Sequence, residues 1–585
     1  MNTTAMPSTA PGPFIQGKFS VKAMHYSILS VALGMALSAT AQAQLVPAIG
    51  DAVRQTQPPM LPVARQPGLP VLGGTPAAAP IQVLPGGGPE VLVTQFDVTG
   101  NQMIDSATLL ALVATEQGKR FSLAQLDVVA ARLTYYYRTH GYFVARAYIP
   151  AQEIVDGKLT LHVIEGNYGK FVLNNRSLVG DSIVQGLLDD VKDRHIVSLD
   201  TLERAMLIIN DTPGVKVVRA DIMPGERVGT SDFAISTEAT AAHRGYLLLD
   251  NDGSSHTGKE RLSFGADWNS PSARGDRLSA SGMVTNNSGL LNGRLAYSIL
   301  TSTDGTRAEA ALSRTSYELG GAYAALQASG TANGADLNFS KPIKRTRNHS
   351  IEATLNLTYK DLTDKVAASG TEIAKQIASI STGISVRSDH ILFGYEGLSQ
   401  ASASVTLGNL HFKDAVAAAL DAAGAHTQGG YAKLNLGASR TSALPSQFML
   451  TTDIKAQMAI GNNALDGVER MSVSGAGGVA AYPTGELSAD HAVLARAELA
   501  HPLMQDGPLP LRVSAFADYG WTRQVTAPAG ARETRTLGDV GLSLSGMTTG
   551  GALLKLQLAH RMVGGLPTSE STPRTRLLFQ IGWIR

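Results

Sequence analysis

Alternation of apolar and polar side chains is the feature that most limits what this chain can fold into, and it continues through residues 244–585. A period of two is that of a β-strand with one apolar and one polar face. Many such strands in succession are compatible with a soluble sandwich or with a membrane barrel. The apolar positions include Ile351, Ala353, Leu355, Leu357 and Tyr359, then Leu262, Phe264, Ala266 and Trp268, and at the end Leu577, Phe579, Ile581 and Trp583.

The N-terminus favours the membrane barrel because it carries an export signal. Lys18 and Lys22 precede an apolar run at residues 28–37, and Ala41-Gln42-Ala43 has the small-x-small pattern of a cleavage site. The apolar run is too short to span a bilayer. We therefore predict a cleaved signal peptide over residues 1–43.

The size of the alternating region predicts the size of the barrel. A closed sheet leaves no unpaired edge in lipid, and roughly 20 residues per strand and connection give about 16 strands. A barrel of that size is wide enough for an aqueous channel. We assign residues 244–585 to an all-β transmembrane antiparallel barrel in the outer membrane of a Gram-negative bacterium. The absence of cysteine fits an oxidising compartment, and a formal net charge of +1 gives no reason to expect a nucleic-acid partner.

Residues 91–243 contain an α+β pattern that occurs twice, as two β-α-α-β-β modules. In the first module, residues 91–166, we expect strands at 96–98, 143–149 and 158–164 and a helix at 106–114. A second helix begins at Ser122, where Ser122 and Gln125 have the spacing of a capping box, and it ends at Gly141. Its buried face is predicted to hold Leu126, Val129, Leu133 and Tyr137.

The second module, residues 167–243, is predicted to follow the same order. A strand at 171–173 precedes a helix capped by Asp181. A second helix stops within residues 210–214, and the closing strands are expected at 215–222 and 232–237. The first helix carries Ile183, Leu187 and Val191, and the second carries Leu202, Met206 and Ile209.

Two segments separate the signal peptide from the modules. Residues 58–90 are rich in Pro, Gly and Ala and are predicted to be an extended linker. The segment 44–57 contains a candidate helix at residues 49–57. So short a helix is marginal in water, and the same residues are compatible with a linker.

Several motifs resemble those of a known family. The haemolysin/filamentous-haemagglutinin secretion and activation family, the two-partner secretion transporters of the Omp85 superfamily, has a first POTRA domain whose signature is similar to residues 141–166. Asn251-Asp252-Gly253 and Gly275-Asp276-Arg277-Leu278 resemble its first barrel hairpins. The signature residues in this chain are Gly141, Tyr142, Arg146, Tyr148, Pro150, Glu165 and Gly166. Tyr142 and Tyr148 are compatible with a place in the core as well as with a functional surface.

The resemblance implies a long loop that folds from the outer face back into the pore. Its motif is similar to Gly478, Val479, Ala480, Ala481, Tyr482 and Pro483, and an inner-wall motif that holds the loop is similar to Phe516, Asp518 and Gly520. Alternation independently directs Phe516 and Asp518 toward the lumen. The candidate helix at 49–57 resembles in position the family's plug helix.

One residue departs from the family pattern. The resemblance implies an arginine, paired with Asp518, where this chain has Ala480. A lone buried carboxylate is costly, so either Arg496 or Arg512 pairs with Asp518, or the site is hydrated, or the loop is held loosely. We still expect the loop in the lumen near Asp518, because the rest of its motif is retained, and we expect Ala480→Arg to restore a contact with Asp518.

No catalytic constellation is present in the sequence. None of the 13 histidines has the spacing of a zinc protease, and no G-x-S-x-G elbow occurs. We therefore predict no enzymatic activity and no cofactor or metal site. Glu260, Arg261, Arg496 and Glu498 are expected to line the channel.

The resemblance implies a pore that recognises an unfolded exoprotein in the periplasm and moves it to the cell surface. The modules would capture the exoprotein by strand addition, the alternative being that they are spacers. The implied partners are a large exoprotein of the adhesin or haemolysin class, outer-membrane lipid and the barrel-assembly machinery, with the transporter a monomer. An assembly factor of the same superfamily is the alternative function, although it usually has more modules. A porin or nutrient receptor does not account for residues 91–243.

Overall fold

A computed structural model of the chain describes residues 48–56, 72–73, 89–192, 196–527 and 532–585. The expected signal peptide and most of the expected linker lie outside the described residues. Within the described residues, no helix has the length and apolarity needed to span a bilayer.

The alternating region forms one closed barrel of sixteen antiparallel strands, which confirms the barrel and excludes the sandwich. Each strand pairs with the barrel strands before and after it, and the first barrel strand (His243–Asp250) pairs with the last (Thr575–Ile584) to close the barrel. The strands are β10 (His243–Asp250), β11 (Arg261–Asn269), β12 (Arg277–Thr285), β13 (Leu290–Leu300), β14 (Arg307–Glu318), β15 (Ala328–Arg345), β16 (His349–Val366), β17 (Thr371–Leu392), β18 (Tyr395–Phe412), β19 (Gly429–Ala443), β20 (Met449–Ile460), β23 (His491–Met504), β24 (Leu511–Arg523), β25 (Thr534–Met547), β26 (Ala552–Val563) and β27 (Thr575–Ile584).

The two faces of the barrel strands differ as the alternation predicts. On the outside, Leu357 is 40% exposed and Leu577 is 62% exposed, whereas Leu578 between two outward neighbours is buried. Apolar side chains on the outer face of a closed sheet are covered by lipid. The inner face is polar, with residues such as Asn356 and Thr358 alternating with Leu355 and Leu357.

The first module is built around β3 (Gln95–Thr99), which pairs in parallel with β6 (Lys158–Ile164), while β5 (Arg146–Tyr148) pairs antiparallel with β6. Leu126, Val129, Leu133 and Tyr137 all pack into its core. The remaining elements are a short pair, β2 (Val91–Val93) and β4 (Lys119–Phe121), the helices α2 (Ser106–Ala111) and α3 (Leu123–Thr139), and a 3₁₀ turn, Ala114–Glu116.

Two expectations for the first module were wrong in detail. Only half of the capping box forms: Gln125 Oε1 accepts from the Ser122 backbone amide at 2.8 Å, but the Ser122 hydroxyl has no partner among the described residues. The expected strand at 143–149 starts only at Arg146, because Phe143 turns away and packs into the core of the second module.

The second module repeats the topology. Strand β7 (Asn167–Arg176) is parallel to β9 (Thr230–Ala239), and β8 (Val215–Pro224) is antiparallel to β9. Its helices are α4 (Asp181–Asp189) and α5 (Leu199–Asp211). Asp181 does not cap α4 as expected: Gly180 is the cap residue, and the Asp181 carboxylate accepts from Asn175 Nδ2 at 2.7 Å.

Two short helices and one short strand add to the modules and the barrel. Helix α1 (Ile49–Gln55) forms within the segment 49–57 where a helix was expected. Strand β1 (Leu72–Gly73) pairs in parallel with β8. Helix α6 (Ala415–Ala423) lies in the connection between β18 and β19.

Candidate functional site: the loop and helix inside the barrel

The connection between β20 and β23, here called the inward loop (residues 461–490), folds into the barrel lumen. It carries one short antiparallel pair of two-residue strands, β21 (Met471–Ser472) and β22 (Ser488–Ala489). Val479, Ala480, Ala481 and Tyr482 have no exposed surface. The loop motif is therefore enclosed by the barrel wall.

The loop motif lies against the predicted wall motif on β24. Phe516 packs with Ala480 and Ala481, together with inward residues of β26 and β27. A Cβ atom on Gly520 would lie 2.9 Å from Val473 Cβ and 3.2 Å from Val479 Cγ2, both in the loop. Only a glycine at position 520 lets the loop approach the wall this closely.

Asp518 has a cationic partner on its own wall. Arg496, its cross-strand neighbour on β23, places Nη1 at 3.3 Å from Asp518 Oδ2. The same guanidinium lies 4.4 Å from the centroid of the Phe516 ring, within range of a cation–π contact. Arg512 is exposed at the far end of β24 and forms no ion pair among the described residues. Of the alternatives left open by Ala480, the pairing of Asp518 with Arg496 is the one that these distances support.

The loop tip, defined as residues 478–483, is attached to the wall through its backbone. Ala481 N donates to Asp539 Oδ2 at 2.6 Å, and Arg576 Nη1 donates to Ala480 O at 2.9 Å and also to Tyr482 O. Sequence reasoning missed Arg576 and Asp539. Strand parity is the signal that could have found them, because Arg576 lies on the opposite face of β27 from Leu577 and is paired in register with Ala559.

Two side chains of the loop, Tyr482 in the tip and Glu486 just after it, bond to the barrel wall and to the connection between β26 and β27. The Tyr482 hydroxyl donates to Val563 O at 2.6 Å. Glu486, whose side chain is fully buried, accepts from Arg535 Nη2 at 2.6 Å and from the backbone amides of Thr568 and Ser569 at 2.9 and 2.8 Å. A buried carboxylate with this many donors is fully compensated.

The loop root, defined as residues 465–470, is held by ion pairs. Glu469 accepts from Lys360 Nζ and Lys433 Nζ, each at 2.7 Å, and Asp466 accepts from Lys375 Nζ at 2.6 Å. All three lysines are on inward positions of the wall. Both loop carboxylates are nearly fully buried.

Helix α1 lies in the lumen beside the loop root. Ile49 is fully buried, and its backbone amide donates to Asp364 Oδ1 on β16 at 2.7 Å. At the other end, Gln55 O accepts from Arg261 Nη1 at 3.3 Å. A Cβ on Gly50 would lie 2.6 Å from the Gly467 carbonyl carbon, so the helix and the loop backbone are in direct contact.

The predicted module signature forms a structural cluster around Glu165. This buried carboxylate accepts from the Gln102 and Met103 amides and from the Tyr137 hydroxyl, each at 2.8 Å. Burial and the Glu165 carboxylate raise the pKa of Tyr137. Tyr142 is half-buried against Tyr137, whose ring centroid is 5.8 Å away.

The other signature residues are more peripheral. Arg146 is exposed, and Pro150 and Tyr148 are partly buried, with Tyr148 in edge contact with His162. Gly141 and Gly166 both have positive φ, +89° and +87°. The signature is therefore mainly a folding element, and β5, which holds Arg146 and Tyr148, is the part of it at a sheet edge.

No group of acidic, histidine or cysteine residues in the described parts of the chain is arranged to hold a metal ion. Glu260 is exposed at the start of β11, whereas Arg261 pairs with Asp250 inside the lumen at 2.7 Å. Glu498 lies 3.3 Å from Arg496. Arg261, Arg496 and Glu498 therefore line the lumen, whereas the expectation for Glu260 was wrong, because adjacent residues of a strand point to opposite faces.

The closed barrel, its inward loop and the preceding β-α-α-β-β modules define a transporter of the POTRA-and-barrel class. The chain belongs to the haemolysin secretion/activation family: residues 229–550 match the family described as haemolysin secretion/activation protein ShlB/FhaC/HecB. Residues 91–166 match the POTRA domain of the ShlB type.

Similar proteins agree with this membership. The heme/hemopexin transporter protein HuxB of Haemophilus influenzae is 26% identical over 554 residues, which cover 93% of this chain and 97% of HuxB. Among solved structures, CdiB from Escherichia coli has a TM-score of 0.69 at 19% identity, covering 87% of this chain and 94% of CdiB. CdiB from Acinetobacter baumannii has a TM-score of 0.62 at 16% identity, covering 97% of this chain and all of that CdiB.

The protein is thus an outer-membrane transporter of the two-partner secretion type, which moves an exoprotein across the outer membrane. The modules are periplasmic. The strand ends that contact the second module are consequently the periplasmic ends, and the inward loop enters the lumen from the cell-surface side.

Proposed function

We propose that α1 is a plug that closes the channel at rest, together with the inward loop. The observation that supports this role is the burial of α1 within the lumen between β16 and the loop root, where Ile49 is fully buried and Ala52 is 2% exposed. A helix of seven residues is not stable alone in water, so its order depends on this seat.

Conductance across a planar bilayer tests the plug. Gly50→Val would force its side chain into the Gly467–Val468 backbone and displace the helix, so we expect the fraction of open channels to rise several-fold toward that of a chain lacking residues 44–57. Gly477→Ala is the matched control, because a Cβ there meets no atom within 4 Å. Equal conductance for the wild type, Gly50→Val and the deletion would refute the plug role.

We further propose that the modules capture the unfolded exoprotein by adding one of its strands to a sheet edge. Strand β5 ends the three-stranded sheet of the first module, so no further strand covers its outer edge. The Ala147 amide on β5 donates to Thr134 Oγ1 at 2.9 Å, and an incoming strand would replace this side-chain contact by backbone pairing. Deleting residues 91–166 or 167–243 should stop secretion while the barrel still inserts, as heat-modifiable migration in gels would show. Secretion that persists after both deletions would reduce the modules to spacers.

The exoprotein is proposed to be a large protein of the adhesin or haemolysin class. The name of the relative HuxB, heme/hemopexin transporter protein, refers to that protein and does not identify the exoprotein of this chain. Comparing culture supernatants of cells with and without this gene by mass spectrometry tests the class. A secreted set that is unchanged on deletion would contradict it.

A further inference from the structure

A cavity of about 340 Å³ lies at the periplasmic mouth of the barrel, beneath the second module. We call it the mouth cavity. Its roof is the end of α5, with Ile208, Asp211 and Thr212, and its floor is formed by the periplasmic ends of barrel strands. The floor includes Arg307, Ser340, Arg345, Ser350, Glu352, Ser385 and Arg387.

Strand register shows that the floor faces the lumen. Arg307 is the Cα partner of Ser340, and Glu352 is the Cα partner of Ser385. Ile384, which directly precedes Ser385, points to lipid, since it is 47% exposed on the outer face. Because side chains alternate along a strand, Ser385 and Arg387 lie on the channel side.

The roof is fixed in place by direct contacts. Arg345 binds Asp211 with both arms of its guanidinium, Nε to Oδ2 at 2.7 Å and Nη2 to Oδ1 at 2.9 Å. Arg204 Nη2 on α5 donates to the carbonyl oxygens of Asp304 and Pro342, each at 3.1 Å. The bidentate pair also neutralises Arg345, so Arg345 contributes little net charge to the cavity.

The cations that remain in the cavity have few partners. Arg307 Nη2 donates to Gly275 O at 2.9 Å, but Nη1 is buried without a hydrogen-bond partner among the described residues. Arg387 forms no ion pair among the described residues. Lys344 is a further cation that lines the cavity. Glu352 is the carboxylate that lines the cavity apart from Asp211. Unpaired guanidinium donors in a partly enclosed site fit carboxylate and carbonyl oxygens.

We infer that the mouth cavity binds an extended, carboxylate-bearing segment of the exoprotein as that segment passes from the modules into the barrel. This inference rests on the proposed delivery of the exoprotein by the modules. The cavity lies between the second module and the lumen, on the path such a segment would take. A lipid phosphate has the same charge, but the lumen-facing floor favours a polypeptide.

Photo-crosslinking of the full chain in phosphatidylcholine nanodiscs tests the site. The probe is a hexaglutamate peptide that carries a diazirine, compared with a hexaserine peptide of the same design. We expect the glutamate probe to label α5 and the strand ends around Ser340 and Ser385. Replacing both Arg307 and Arg387 by Gln should raise its half-saturating concentration at least about tenfold, the factor that the loss of a single charge-assisted hydrogen bond already gives.

The control variant is Arg294→Gln, which removes a lumen-facing arginine from the neighbouring strand β13, where Arg294 Nη2 bonds to Glu309 Oε1 at 2.7 Å. It should leave labelling unchanged. Three results would overturn the inference. They are equal labelling by hexaserine, labelling that the double variant does not change, and labelling that is lost only when the nanodiscs contain phosphatidylglycerol. Normal secretion by the double variant would contradict the role of the cavity but not the proposed delivery of the exoprotein by the modules. Normal secretion after deletion of the modules would contradict the proposed delivery.

Discussion

The root and the tip of the inward loop are held in the same lumen by different chemistry. At the root, the loop supplies the carboxylates of Asp466 and Glu469, and the wall supplies three lysines. At the tip, the loop supplies backbone carbonyl and amide groups, and the wall supplies Arg576 and Asp539. Side-chain identity in the loop therefore matters at the root, whereas the tip depends chiefly on backbone shape.

This difference explains how the chain accommodates Ala480. Arg496 on the wall gives the Asp518 carboxylate a cationic partner that the loop does not supply. The small Ala480 side chain instead packs against Phe516 in an apolar cluster. Apart from the Tyr482 hydroxyl, the tip is attached by backbone groups, so substitution at the other tip positions is limited chiefly by volume.

The largest effect is expected at the root. Glu469→Ala would leave Lys360 and Lys433 without their buried partner, which costs about 3–5 kcal/mol when a buried ion pair is broken from one side. The loop should become sensitive to protease added from the cell surface, and the barrel should lose its folded gel mobility at a lower temperature.

Lys413→Ala is the control for the root. Its pair with Asp361 has side chains 38% and 34% exposed, and exposed pairs contribute about 0–1 kcal/mol. If both variants lower the unfolding temperature by the same amount, the root is not held by buried charge.

Arg576→Gln should have a smaller effect on the tip, about 1.5–3 kcal/mol, because it removes charge-assisted hydrogen bonds to two loop carbonyls. Arg576→Lys should recover only part of the stability, since one ammonium cannot reproduce a planar guanidinium. Hydrogen exchange at the amides of Val479 to Tyr482 measures the change. Arg523→Gln, at an exposed position on β24, should be silent; protection factors unchanged in Arg576→Gln would contradict the role of the tip contact.

Ala480→Arg sharpens the comparison through Asp518. On its own it should destabilise by about 1–3 kcal/mol, because a fully buried alanine is replaced while Arg496 already occupies the carboxylate. With Arg496→Ala added, the new arginine can pair with Asp518, as the sequence resemblance implies, and the penalty should shrink. A double-mutant cycle on thermal unfolding measures the coupling. Stabilisation by Ala480→Arg alone would show that Arg496 does not compete for Asp518.

The smallest expected effect is that of Tyr482→Phe. This change removes the hydroxyl that donates to Val563 O but keeps the buried ring, so about 0.5–1.5 kcal/mol should be lost. Thermal unfolding monitored by gel mobility checks the value. A loss as large as that of Glu469→Ala would mean that side-chain bonds dominate the tip as well.

The sequence by itself determined the architecture. Period-two alternation from β10 to β27 requires strands with one lipid face, and their number follows from the length of the region. The helical spacing of Leu126, Val129, Leu133 and Tyr137 likewise defined the buried face of α3. These features are local, so short-range periodicity is sufficient to predict them.

Tertiary structure alone decided which partners meet. Arg496 and Asp518 are 22 residues apart, and Arg576 and Ala480 are 96 residues apart, so no local pattern connects them. The start of β5 at Arg146 was likewise decided by the packing of Phe143 into a neighbouring module. Strand parity assigns each residue to the lumen or to lipid, but register around the closed ring and the path of the inward loop determine which lumen residues touch.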